Sequence, residues 1–218
     1  VVGGGGGKDA PTSKGAGRGV VLQRGGRVFT RGASSSVAYT SNVGGTGEGY
    51  YELSGGELKT SGYFGIGNYH HGTFLQLGGM ATFGPFYLAY ANGGNGHYTL
   101  LGGTTKCTST VYLTGGTSGE GFLTVSGPQS HFDCSDASYS RIALNGKNNY
   151  PLRTTINVND EGVLTVSGFY AGQTSTLELP FILNFNGGVL RHAAVYNNPS
   201  IFWFSNTKAT PKVVVYEK

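Results

Sequence analysis

The sequence predicts an all-β fold: a single-domain β-solenoid with rungs of about 24 residues and three short strands in each. Three observations predict it. Glycine makes up 40 of 218 residues, more than twice the usual share of about 7 %, but without the strict three-residue period of collagen. Short runs alternate apolar and polar residues with period two, as a strand with one inward face does. One of these runs also recurs at near-constant spacing, the mark of a repeat architecture.

The recurring unit is a short strand between glycines. It reads Gly49-Tyr-Tyr-Glu-Leu-Ser-Gly55-Gly56, then Gly72-Thr-Phe-Leu-Gln-Leu-Gly78-Gly79, then Gly96-His-Tyr-Thr-Leu-Leu-Gly102-Gly103. Two further copies read Gly121-Phe-Leu-Thr-Val-Ser-Gly127-Pro128 and Gly162-Val-Leu-Thr-Val-Ser-Gly168-Phe169. The starts lie 23, 24, 25 and 41 residues apart, the last gap being one period plus an insertion of about 17. The inward positions are predicted at Tyr51 and Leu53, Tyr98 and Leu100, Leu123 and Val125, and Leu164 and Val166. Glu52, Thr99, Thr124 and Thr165 alternate with them, as an outer face would. The second copy carries Gln76 at an otherwise apolar position. Such a residue needs a hydrogen-bond partner or a polar setting.

The closing glycines mark a corner, because glycine tolerates positive φ and close backbone approach. A second strand follows each corner, as in Glu57-Leu-Lys-Thr-Ser and Met80-Ala-Thr-Phe. A third follows in Tyr63-Phe-Gly-Ile, Phe86-Tyr-Leu-Ala and Val111-Tyr-Leu-Thr. No stretch combines helix caps with a sustained 3.6-residue period. A unit this small cannot bury its own apolar face, but stacked neighbours at about 4.8 Å make a continuous core. A propeller blade needs about 40 residues, and a sandwich has no reason to repeat this motif at constant spacing. Left-handed hexapeptide repeats are absent, which favours a right-handed coil.

These residues resemble the β-strand repeats of large secreted bacterial proteins, including the autotransporter-associated β-strand repeat and related surface-sorted solenoids. Val163-Leu-Thr-Val-Ser-Gly-Phe-Tyr-Ala-Gly, followed by Leu183-Asn-Phe-Asn-Gly-Gly-Val-Leu-Arg191, resembles the closing section of such a repeat, and the likeness spans roughly residues 42 to 192. It implies an exported or cell-surface protein. These families are passengers, stalks and coats without a shared catalytic motif, so it implies no activity.

The predicted organisation has three parts. Residues 1–19 form a Gly-rich arm, flexible on its own. Residues 20–192 form the solenoid, with the insertion at about 129–161. Residues 193–218 form a C-terminal strand and aromatic segment. The chain is expected to be a fragment or matured piece of something larger, with any signal peptide already removed.

Composition excludes several classes. The net charge of +4 is thinly spread, with one cluster at Lys14, Arg18, Arg24, Arg27 and Arg31. A nucleic-acid binder would show a dense basic stripe and a known motif, so no nucleic-acid partner is expected. No run of 18 apolar residues occurs, so no membrane-spanning helix is expected. Cys107 and Cys134 match no zinc or haem spacing. In an exported protein they are expected to form a disulfide, which would close a loop worth a few kcal/mol in the chain-entropy model. The alternative is two buried thiols.

Little suggests catalysis. Asp133, Asp136, Asp160 and Glu161 could be imagined as a calcium or polysaccharide-lyase site. The chain has only 11 Asp and Glu in all, however, and these four fit turns in the insertion. Glu48 and Glu120 both precede a repeat glycine, an equivalent solvated position. His70, His71 and His97 fall near turns on adjacent rungs, where exposed histidines are the simpler account. No Gly-x-Ser-x-Gly elbow and no Gly-Lys-[Ser/Thr] loop is present. No catalytic, cofactor-binding or metal-ligating residue is therefore expected. Tyr50, Tyr63, Tyr69, Tyr87, Tyr90, Tyr98 and Tyr112 recur along the rungs. Some are expected in core ladders and others in an outward stripe that could hold sugar or a partner surface.

The expected function is that of a non-enzymatic extracellular structural protein whose main partner is itself, joined end to end in a fibre, coat or adhesin stalk. Solenoid ends expose unpaired strand edges, native repeats usually cap them, and no polar helical cap is legible. The expected contacts are the arm Val1–Gly7, with Val1 and Val2 its apolar tip, and the tail Ile201, Phe202, Trp203, Phe204, Val213, Val214, Val215 and Tyr216. The alternative is a β-helix that binds or cleaves an extracellular polysaccharide.

Overall fold

A computed structural model describes residues 18–30, 34–37, 47–89, 93–114, 119–136, 142–144, 152–171, 181–193, 201–204 and 212–216. Among the described residues the secondary structure is all β, with no helix. In chain order the strands are β1 (Arg18–Gln23), β2 (Arg27–Thr30), β3 (Ser34–Val37), β4 (Glu48–Leu53), β5 (Glu57–Thr60) and β6 (Tyr63–Ile66). Next come β7 (His71–Gln76), β8 (Met80–Phe83), β9 (Phe86–Leu88), β10 (Gly94–Leu100), β11 (Gly103–Cys107) and β12 (Val111–Leu113). They continue with β13 (Gly119–Ser126), β14 (Ser130–Cys134), β15 (Ile142–Ala143), β16 (Leu152–Asn159), β17 (Val163–Val166) and β18 (Phe169–Ala171). The last are β19 (Phe181–Asn186), β20 (Val189–His192), β21 (Phe202–Phe204) and β22 (Lys212–Tyr216).

Each strand pairs in parallel with the strand three places later, and the chain visits three sheets in turn. The first sheet runs β1-β4-β7-β10-β13-β16-β19-β22, the second β2 to β20, and the third β3 to β21. This is a β-solenoid with three strands per coil, as the repeat predicts. The first corner of the coil repeats a left-handed backbone, with φ +68° at Gly26, +82° at Gly56, +72° at Gly79 and +86° at Gly103. A Cβ on Gly56 would lie 2.2 Å from the Gly26 carbonyl oxygen, so the coil below leaves no room for a side chain.

The first-sheet glycines fall in one register column: Gly19, Gly49, Gly72, Gly96 and Gly121. The fifth sequence copy does not continue this column. β17, which carries Val163-Leu-Thr-Val166, pairs with β14 in the second sheet. The first-sheet place in that coil belongs to β16, where Thr154 lies opposite Gly121, Ile156 opposite Leu123 and Val158 opposite Val125. Gly162 therefore precedes a second-sheet strand, and Gly168 lies in the corner between β17 and β18. Residues 129–161 contain β14, β15 and β16, which occupy ordinary places in the three sheets. Local sequence misleads here because a period-two apolar strand suits any of the sheets. Only its pairing partner tells them apart.

Inward residues stack into columns along the axis. One first-sheet column holds Tyr51, Phe74, Tyr98, Leu123, Ile156 and Leu183, all buried. Facing columns carry Phe64 and Phe86 from the third sheet and Phe83 and Phe132 from the second. The rings interlock: Tyr51 stacks on Phe74 at 5.0 Å, Phe64 on Phe83 at 4.5 Å, and Phe83 on Phe86 at 5.1 Å. Each such side chain contributes about 2–3 kcal/mol of burial. A coil cannot gather this contact alone, so stability resides between neighbours.

The cysteines require a correction. Cys107 and Cys134 are free and fully buried, with no disulfide between them. They end β11 and β14 directly after the paired Lys106 and Asp133. A disulfide needs Cβ atoms about 3.8 Å apart with the sulfurs turned toward each other. In-register side chains on parallel strands keep the strand spacing of about 4.8 Å and point the same way.

Candidate functional site

Two buried glutamines inside the solenoid are hydrogen-bonded to neighbouring backbone and side-chain groups. Gln76 is fully buried on β7 between Leu53 and Leu100. Its Nε2 donates to the carbonyl oxygens of Gly79 at 3.2 Å and Thr104 at 3.1 Å. Its Oε1 accepts from Tyr98 Oη at 2.6 Å and Thr105 Oγ1 at 2.8 Å. Gln23 repeats the device two coils earlier, donating to the Glu57 carbonyl at 3.0 Å and accepting from Tyr51 Oη. Burial drives the Tyr98 phenol far above its usual range. These bonds tie each glutamine to the neighbouring coil and sheet.

The acids named in the sequence do other work. Asp133 accepts from the backbone N–H of Ser135 at 2.9 Å and from its hydroxyl, forming a turn. Asp136 pairs with Lys106 at 2.9 Å, and Ser126 donates to Asp160 at 3.1 Å. Glu48 and Glu120 share an outward column, pairing with Arg18 at 3.0 Å and Arg153 at 3.9 Å. No group of three or more His, Cys, Asp or Glu suited to a metal occurs among the described residues. His71 lies opposite Asn95, and His97 opposite Thr73, so the histidines do not align in one column. The His97 imidazole stacks on Phe122 at 4.6 Å. Burial lowers its pKa below the usual 6.5; nearby His71 adds to the shift and Glu120 opposes it.

The tyrosines divide as expected between core and surface. Tyr98 is in the core, while Tyr50 faces outward and donates to Glu52 at 3.0 Å. In the third sheet, Gly65, Tyr87, Tyr112, Ala143 and Tyr170 share one register column, and Tyr63 lies beside it. Tyr87 and Tyr112 stack face to face, 4.8 Å apart at 7°, and Tyr63 meets Tyr87 at 5.3 Å and 50°. Tyr69 is partly exposed, and Tyr90 lies outside the described residues.

The ends of the stack differ from its middle. Among the described residues β1 has one neighbour, β4, and stands at the edge of the first sheet. Val20 is 66 % exposed, Leu22 52 % and Phe29 53 %. Val28 shares a column with Leu58 and Ala81, which are buried, yet it is 37 % exposed. Among the described residues no coil precedes the first, and this inward position is correspondingly exposed. At the far end, β21 and β22 are the edge strands of the third and first sheets. Ile201 is partly buried against the core, and its carbonyl accepts from the Phe169 N–H at 2.7 Å. Val1 and Val2 lie outside the described residues. Sequence reasoning placed the expected N-terminal contact in the arm and did not single out the exposed apolar residues Val20, Leu22, Val28 and Phe29. The signal was there: Gly19-Val-Val-Leu-Gln and Arg27-Val-Phe-Thr are apolar on outward positions as well as inward ones.

No helix of the described residues is long and apolar enough to cross a membrane. No protein-family model, curated protein or solved structure matches the chain.

Proposed function

We propose that the protein is a non-enzymatic structural element that associates with itself end to end, as a subunit or segment of an extracellular fibre, coat or stalk. The open first coil carries this reading. An apolar core closed along its sides and exposed at one end is stabilised by a further coil. Its likeness to exported β-strand repeats supports an extracellular placement. Gln23 and Gln76, and the acids Asp133, Asp136, Asp160, Glu48 and Glu120, take part in structural bonds, which supports a non-enzymatic role. Electron microscopy of the purified protein at neutral pH tests it. Filaments are expected, with an axial subunit repeat of about 38 Å: eight first-sheet strands at about 4.8 Å each. Single particles at every concentration would refute it.

A second reading, a polysaccharide-binding or polysaccharide-cleaving helix, rests on the outward tyrosines of the third sheet. Sugar stacking needs an exposed ring face. The 7° stack of Tyr87 on Tyr112 turns those faces toward each other and presents edges to solvent. This places the second reading behind the first. A glycan array tests it: binding that is lost in Tyr63→Ala would restore it.

A further inference from the structure

We infer that the joint between copies is a parallel pairing of β22 from one copy with β1 of the next, in the register that runs through the whole first sheet. The inference rests on the self-association reading and names its interface.

Among the described residues the first sheet begins at β1 and ends at β22, so these two are its edge strands. Register passes without a slip from β1 to β22. Val21, Tyr51, Phe74, Tyr98, Leu123, Ile156, Leu183 and Val213 form one column, and Gln23, Leu53, Gln76, Leu100, Val125, Val158, Phe185 and Val215 another. Bringing the next copy's β1 against β22 sets Val213 beside Val21 and Val215 beside Gln23, so both register columns continue.

The column between them points the same way. Its middle members are Glu52, Leu75, Thr99, Thr124, Asn157 and Asn184, mostly polar as an outward column should be. Its two terminal members are Leu22 and Val214. Apolar residues therefore stand at both edges of a polar column, and the proposed joint places them together. Leu22 is half exposed in the free chain. A β-branched or aliphatic cross-strand pair is a usual source of pairing specificity. Such a contact is heterologous and does not close on itself, so it propagates. Among the described residues the second and third sheets each have one strand fewer than the first.

The test mixes two single variants, Leu22→Cys and Val214→Cys, with a short bis-maleimide. Within one chain the two positions sit seven strand steps apart in the sheet, about 34 Å, so a short linker joins them only between molecules. The native thiols are fully buried. The expected product is the mixed 22–214 conjugate, identified by peptide mass. Leu22→Lys is expected to reduce assembly at least tenfold, while the mid-sheet control Thr99→Lys leaves it unchanged and both keep the native circular dichroism. Assembly with 22–22 or 214–214 conjugates, or undiminished in Leu22→Lys, overturns the joint and leaves self-association standing. Absence of assembly in the unsubstituted chain removes both.

Discussion

Replacing Gln76 by leucine tests whether the buried polar cluster is a closed unit. The side chain takes part in four hydrogen bonds, two to backbone carbonyls and two from Tyr98 and Thr105. At about 1 kcal/mol net for each, the loss is about 4 kcal/mol. Leucine fits the column, since Leu53 and Leu100 flank this position, and its greater apolar burial returns about 1–2 kcal/mol. Some polarity is also rescued locally. Tyr98 and Thr105 remain bonded to each other, and the Gly79 carbonyl still accepts from Thr104 N–H at 3.1 Å. The expected net cost is therefore about 2–3 kcal/mol. The triple variant Gln76→Leu, Tyr98→Phe, Thr105→Val removes both side-chain partners along with the glutamine and leaves only the two backbone carbonyls. It should return to within about 1 kcal/mol of the native protein, because deleting both sides of a buried bond is nearly neutral. Urea unfolding followed by far-UV circular dichroism measures both, and hydrogen exchange of β7 and β10 gives the local readout that a repeat array requires. A single variant costing under about 0.5 kcal/mol, or a triple variant no more stable than the single, refutes the reasoning.

Three other expectations follow from the same geometry. Burial raises the Cys107 thiol well above its usual range and Cys134 as well; at pH 8 neither should react with a thiol reagent in the native protein, and both should react in denaturant without a reductant. The His97 pKa is depressed, so the folded state favours the neutral ring and the unfolded chain binds its proton first. Its contribution to stability is then full above about pH 6.5 and declines as pH falls below it, and an NMR titration should find the His97 midpoint below 6.5. Glu161 holds φ +65° at the corner where other coils use glycine, so Glu161→Gly should stabilise by up to about 1 kcal/mol in thermal unfolding.

Much of the fold was legible before any coordinates, and particular residues show where that legibility stopped. The alternation in Tyr50-Tyr-Glu-Leu53 and the closing Gly55-Gly56 specify a strand and a corner by themselves, because side-chain period and positive φ are local properties. Gln76 was recognisable as a polar residue on an apolar face, but its partners Tyr98 and Thr105 lie on the next coil. The outward tyrosine column was anticipated as a class. Which rings face each other, and so hide the surfaces a sugar would use, follows only from the stacking of Tyr87 on Tyr112.

By itself the sequence determined that the chain folds as stacked coils of three short strands turning at glycines. Tertiary structure alone decided which strand joins which sheet, placing β16 rather than β17 beside β13. It left Cys107 and Cys134 side by side as thiols, and it left Val28 open at the first coil. The division has one physical cause. Alternation and turn chemistry act within a few residues of chain, whereas sheet membership, sulfur geometry and core closure depend on what the neighbouring coil sets against each strand.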